Sequence, residues 1–148
     1  MSRNNGGSGP YQRQGSQNAP LRIETPDLLV VELIGELDAS DTARMAADAR
    51  RLMSGRTWAL MLCDISRIGG LTSEARRAMA DGFRSIPLRG IAFHGGNPRH
   101  RAQSTLMANA MNLLNDRREE CPFKFFLSES EARLWLGLRR DEMKRSRR

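Results

Sequence analysis

The stretch "CDISRIGGLTSEARRAM", Cys63 to Met79, holds the residues with the most chemical promise. An apolar run ends in Asp64 and Ser66, two glycines follow, and Thr72-Ser73-Glu74 opens a helical pattern. A hydroxyl at that position has two uses. It can cap the helix by accepting one of the free N–H groups of the first turn. It can also carry a phosphate, because the same N–H groups and the positive dipole end favour an anion. Asp64, Ser66 and His94 invite comparison with a nucleophilic set if their strands are neighbours, but no G-x-S-x-G elbow accompanies them. Gly69-Gly70 and Gly95-Gly96 lack the Lys-Ser/Thr of a phosphate-binding loop and are expected to be connections leaving strands. His94 and His100 are the only histidines, Cys63 and Cys121 lie far apart, and no metal-type spacing joins them. The sequence therefore points away from an enzyme, with no catalytic residue, metal or cofactor expected.

The elements that must hold these residues are readable as an alternation. "LRIET" and "LLVVELIGEL" form two strands around the turn group Thr25-Pro26-Asp27. "ASDTARMAADARRLMSG" is a helix with Met45, Ala49, Leu52 and Met53 on one face, capped by Ser40 or Asp41 and ended at Gly55. "TWALMLCDI" is apolar nearly throughout, as in a strand covered on both faces. The next helix carries Ala75, Met79, Phe83 and Ile86 inward and stops at Pro87. "RGIAFHG" is a fourth strand. "PRHRAQSTLMANAMNLLND" is a helix with Pro98 near its first turn and Ala102, Leu106, Ala110 and Leu113 expected inward. "PFKFFL" is a fifth strand. A last helix opens with Ser128 and Glu131 as a capping box, with Leu134, Trp135 and Leu138 as its apolar side. The order β-β-α-β-α-β-α-β-α predicts a single α/β domain with a mostly parallel sheet of about five strands and four helices, the first strand an antiparallel edge.

The charge balance separates this domain from its ends. The chain has 148 residues and a net charge of +7. Residues 1–20 contribute +2 and residues 139–148 contribute +4, which leaves only +1 for residues 21–138. The first 20 residues are rich in Gly, Ser, Asn, Gln and Pro and cannot bury enough apolar surface to offset chain entropy. They are expected to form a disordered tail, 21–138 the folded domain, and 139–148 a basic C-terminal tail, either a frayed helix end or a loose segment. No apolar run reaches a membrane-spanning length, and the N-terminus lacks the apolar core of a signal peptide. A cytoplasmic, reduced protein is the expectation. Trp58 and Trp135 sit among aliphatic residues, as core residues do, rather than among bases as in RNA readers.

The chain resembles the STAS domain family, the fold of bacterial anti-sigma-factor antagonists and of the cytoplasmic tails of sulfate transporters. More narrowly it resembles the STAS-like branch related in fold to CRAL-TRIO lipid-transfer domains. The resemblance covers most of 21–138 and is carried by "VELIGELDASD" (Val31 to Asp41), "DIS" (Asp64 to Ser66), "LTSEAR" (Leu71 to Arg76) and "SESEARLWL" (Ser128 to Leu136). It implies that Ser73 takes the position of a serine phosphorylated by a partner kinase. Thr72, Glu74 and Ala75 stand where the antagonists have Asp, Ser and Gly. Glu74 places a negative charge beside any phosphate on Ser73. The resemblance also implies a partner-docking face, here Glu36, Asp38, Asp41, Ser66, Thr72, Ser73 and Arg76, for a kinase or anti-sigma-like protein. Two other readings stay open. Met45, Met53, Met79, Met107 and Met111 could line an adaptable pocket for a lipid or small apolar ligand. The basic tails could tether the chain to nucleic acid or an anionic membrane, with a steep salt dependence.

Overall fold

The computed structural model describes residues 19–25, 27–115 and 120–146. The apolar, β-branched runs extend into β1 (Leu21–Thr25), β2 (Leu28–Leu37), β3 (Ala59–Leu71), β4 (Leu88–His94) and β5 (Phe123–Phe126). The amphipathic stretches wind into α1 (Ala39–Leu52), α2 (Ser73–Phe83), α3 (Pro98–Leu114) and α4 (Glu129–Ser146). The element order is the expected one. The five strands form one sheet in the order β1-β2-β3-β4-β5, with β1 antiparallel to β2 and the rest parallel.

Strand alternation divides the core in two. In β3, Ala59, Met61, Cys63 and Ile65 enter the larger cluster, while Leu60 and Leu62 point to the other face. The larger cluster takes Met45 from α1, Met79 from α2 and Met107 from α3. These three helices pack side by side, as right-handed crossovers between successive parallel strands require. α4 covers the opposite face through Ala132 and Leu136, which meet Leu28, Val30, Leu60, Leu62 and Ala92.

Several expectations need correction. β3 does not stop at Ile65 but runs to Leu71, so Gly69-Gly70 lies inside a strand. The reason is pairing: Gly35 aligns with Ile68 and Leu37 with Leu71 across from β2. A Cβ on Gly69 would stand 2.9 Å from the Gly35 carbonyl carbon, so only glycine allows that approach. Gly95 and Gly96 do leave β4, both at positive φ (76° and 80°). α1 is capped by Asp38, not by Ser40 or Asp41; Asp41 is its capping-box partner. In α3 the inward residues are Ser104, Met107, Ala108 and Met111, whereas Leu113 is 84% exposed. In α4 they are Ala132, Leu136 and Met143, whereas Leu134 and Leu138 are 72% and 64% exposed.

The ends of the domain shift as well. Ala19 is buried, and the Pro20 carbonyl accepts the Glu32 N–H at 3.2 Å. The remainder of the expected N-terminal tail, 1–18, and Pro26 of the expected turn lie outside the described residues. The boundary at 138 does not hold, because the basic stretch is the end of α4 as far as Ser146. Arg139 donates twice to the Arg89 carbonyl, at 3.1 and 2.7 Å, and Met143 is buried. Arg140 forks onto Asp27 with two 2.9 Å bonds. These contacts hold the segment as helix.

Candidate functional site

β3 delivers the chain to Thr72, whose extended backbone (φ −66°, ψ 161°) ends the strand and starts α2. Its Oγ1 accepts the Ala75 N–H at 3.0 Å, so Thr72 is the cap. Ser73 is thereby released from capping. It is the first helical residue, it is exposed, and its hydroxyl makes one long contact, 3.4 Å, to the Glu74 carboxylate. Arg76 turns back and donates to the Leu71 carbonyl at 3.0 Å. Arg77, one turn beyond Ser73, is exposed and unpaired among the described residues. An open cleft of about 360 Å³ lies between α2 and the end of α3, lined by Ser73, Glu74, Arg76, Arg77, Ala110, Leu113 and Leu114. Polar and charged side chains of α2 face apolar side chains of α3 across it.

Around this cleft the expected docking residues separate into two groups. Asp38 and Asp41 bond each other's backbone N–H at 2.8 and 3.1 Å and so serve the start of α1. That start is tied to α2 by Thr42, whose buried hydroxyl donates to the Ala75 carbonyl at 2.8 Å. The Glu36 carboxyl lies beside Gly70, its Cδ about 3.5 Å from where a Cβ would stand. Glu36, Asp38, Asp41, Thr72, Ser73 and Arg76 therefore share the end of the molecule where α1 and α2 begin. Ser66 stands apart, five residues before the end of β3, against Gly95. Thr42 and Leu114 were not singled out from sequence, and Leu113 was expected to face the core. Arg77 was legible from sequence as close enough to help hold a phosphate on Ser73, since a residue four after it on a helix shares its face.

Asp64 and His94 are direct neighbours in the β3–β4 register. Ser66 Oγ donates to Asp64 Oδ1 at 2.7 Å and its N–H donates to the same oxygen at 2.9 Å. No hydrogen bond joins either residue to His94 among the described residues, so a Ser–His relay is not assembled. His100 closes a capping box with Asn97 at 3.0 and 3.1 Å. No group of three or more His, Cys, Asp or Glu side chains converges among the described residues. The Cys63 thiol is buried, and burial pushes its pKa up, which disfavours the reactive thiolate.

The five methionines considered for a ligand pocket are all buried in the larger core cluster. The apolar cavity that Met111 lines, with Phe83, Ile91 and Ala108, holds about 10 Å³, room for about one water. No helix among the described residues is long and apolar enough to cross a membrane.

No protein-family profile matches the chain, and no curated protein matches it. Among solved structures it is similar to the crystal structure of an uncharacterized protein from the DUF3478 family with a SpoIIAA-like fold, from Shewanella loihica PV-4. The TM-score is 0.59 at 18% identity, over 88% of this chain and 99% of that one. Strand order, helix placement and this likeness agree: the chain has a STAS-like, SpoIIAA-like α/β fold.

Proposed function

We propose that this chain is a non-enzymatic STAS-like module that docks a regulatory protein partner where α2 begins, with Ser73 as the residue whose phosphorylation changes the contact. One observation carries the reading. An exposed hydroxyl, not consumed by capping, stands on the rim of an apolar cleft beside the unpaired Arg77. Exposed apolar surface bounded by charge is a common mark of a protein contact. A phosphate on Ser73 adds about −1.5 to −2 charges there. Arg77 and the free N–H groups of the first turn would stabilise it, and Glu74 would oppose it. A partner seated against Leu113 and Leu114 would meet a rim of changed sign.

The test is recovery of partners from the source cell on the full-length protein, with phosphate mapped on the same sample. Ser73→Ala should keep the partner, and Ser73→Asp and Leu113→Glu should each lose it. Equal recovery on all three variants would leave Ser73 a surface residue of the helix start and remove the docking reading.

A further inference from the structure

Gly137 sits in the middle of α4, and nothing lies within 4 Å of the position its Cβ would occupy. A glycine inside a helix costs stability relative to alanine, and no packing among the described residues accounts for it here. On the same outward side, Leu134 and Leu138 are exposed over most of their surface. The two ends of the helix carry opposite charge, with Glu129 and Glu131 in the first turn and Lys144 and Arg145 in the last. Glu129 is held by Arg133, while Glu131 meets only the Ser128 hydroxyl among the described residues. Arg145 is exposed and unpaired among the described residues. Residues 131, 134, 138 and 145 are spaced by three, four and seven, which places them on one face of the helix.

We propose that α4 pairs antiparallel with α4 of a second copy of this chain, crossing at Gly137–Leu138. Glu131 and Arg145 lie equally far from Leu138, seven residues on either side. A two-fold axis at Leu138 therefore brings Glu131 of each copy against the other copy's arginine at 145, twice over. Such a self-complementary patch is what a symmetric dimer requires. The antiparallel arrangement also opposes the two helix dipoles. About an axis at Leu138, Leu134 of one copy comes opposite Asp141 and Glu142 of the other, and Gly137 beside the axis lets the two backbones approach. The chain's own first 18 residues are a poor alternative occupant, since they contain no Leu, Ile, Val or Phe. α4 and the α2–α3 cleft lie on opposite sides of the sheet, so the dimer is independent of the docking reading. A helix pair of this length buries on the order of 500 Å² per copy, below the ~800 Å² of a standard interface. The dimer therefore belongs with weak, reversible contacts.

Sedimentation equilibrium of the full chain, from about 1 to about 500 µM, should show a monomer–dimer equilibrium. Gly137→Gln should weaken it about tenfold or more without lowering the melting temperature, because glutamine is a better helix former and its Cβ would meet no atom of the described residues within 4 Å. Arg145→Glu should weaken it similarly, and adding Glu131→Arg should restore it, which a merely structural role for either residue would not do. A monomer across the whole range overturns the proposal. A dimer insensitive to Gly137→Gln, or a double variant no tighter than Arg145→Glu alone, overturns it equally.

Discussion

Thr72 and Ser73 are adjacent hydroxyls with different work. Thr72→Ala removes the oxygen that accepts the Ala75 N–H and should cost about 1 kcal/mol in urea unfolding. Ser73→Ala removes an exposed hydroxyl with one long contact and should stay within about 0.5 kcal/mol. Reversed magnitudes would make Ser73 the cap. The sequence left this choice open, because both residues are good caps and a propensity cannot say where a strand stops. The same ambiguity displaced the start of α1. Ser40, Asp41 and Asp38 all suit a cap, and pairing of Leu37 with Leu71 decides for Asp38 by holding the chain extended up to that point.

Element existence was legible, because apolar runs and 3.6-residue stripes are local properties. The phase of a stripe was not legible where a helix carried two. α3 has one stripe through Leu106, Ala110 and Leu113 and another through Ser104, Met107, Ala108 and Met111. Both have helical period. The larger leucines suggest the first, but close packing against α2 and the sheet selects the smaller and more pliable second. α4 repeats the pattern, with Ala132 and Leu136 inward and Leu134 and Leu138 outward. Close helix packing also explains Gly82 of α2, whose Cβ would stand 2.2 Å from the Cβ of Ala46 on α1. Gly82→Ala should therefore destabilise by about 1–3 kcal/mol, despite the better helix former, as read from thermal or urea unfolding. A stabilised variant would show that α1 and α2 slide apart freely.

At the scale of the molecule, the last helix is fastened to the first strands. Arg133 of α4 donates to Glu24 of β1 at 2.5 and 3.0 Å, and Arg140 reaches Asp27. The hydrogen bonds from Arg133 hold the Glu24 carboxyl at a pKa of about 2, down from 4.5. A depressed pKa contributes stability that is full above pH 4.5 and lost as pH falls toward 2. The pair is about one-third exposed, so screening keeps its contribution near ~1 kcal/mol. Arg133→Gln should thus be less stable than the native chain at pH 6, with the gap closing between pH 4.5 and about 2. A gap independent of pH would mean that Arg133 acts through packing alone. A chain ending at Leu138 should melt well below the full chain, because it loses Met143 and the clamps of Arg139 and Arg140. Periodicity could not reveal the clamps of Arg133, Arg139 and Arg140, since they join residues 109, 50 and 113 positions apart.

Strand order follows chain order, so during synthesis each new strand can add to the growing edge of the sheet as it leaves the ribosome. α4 follows all five strands, and until it emerges, Leu28, Val30, Leu60, Leu62 and Ala92 form a bare apolar sheet face. The nascent chain is therefore most exposed to aggregation just before this 18-residue helix is complete, and ribosome stalling there would make it a client for chaperones.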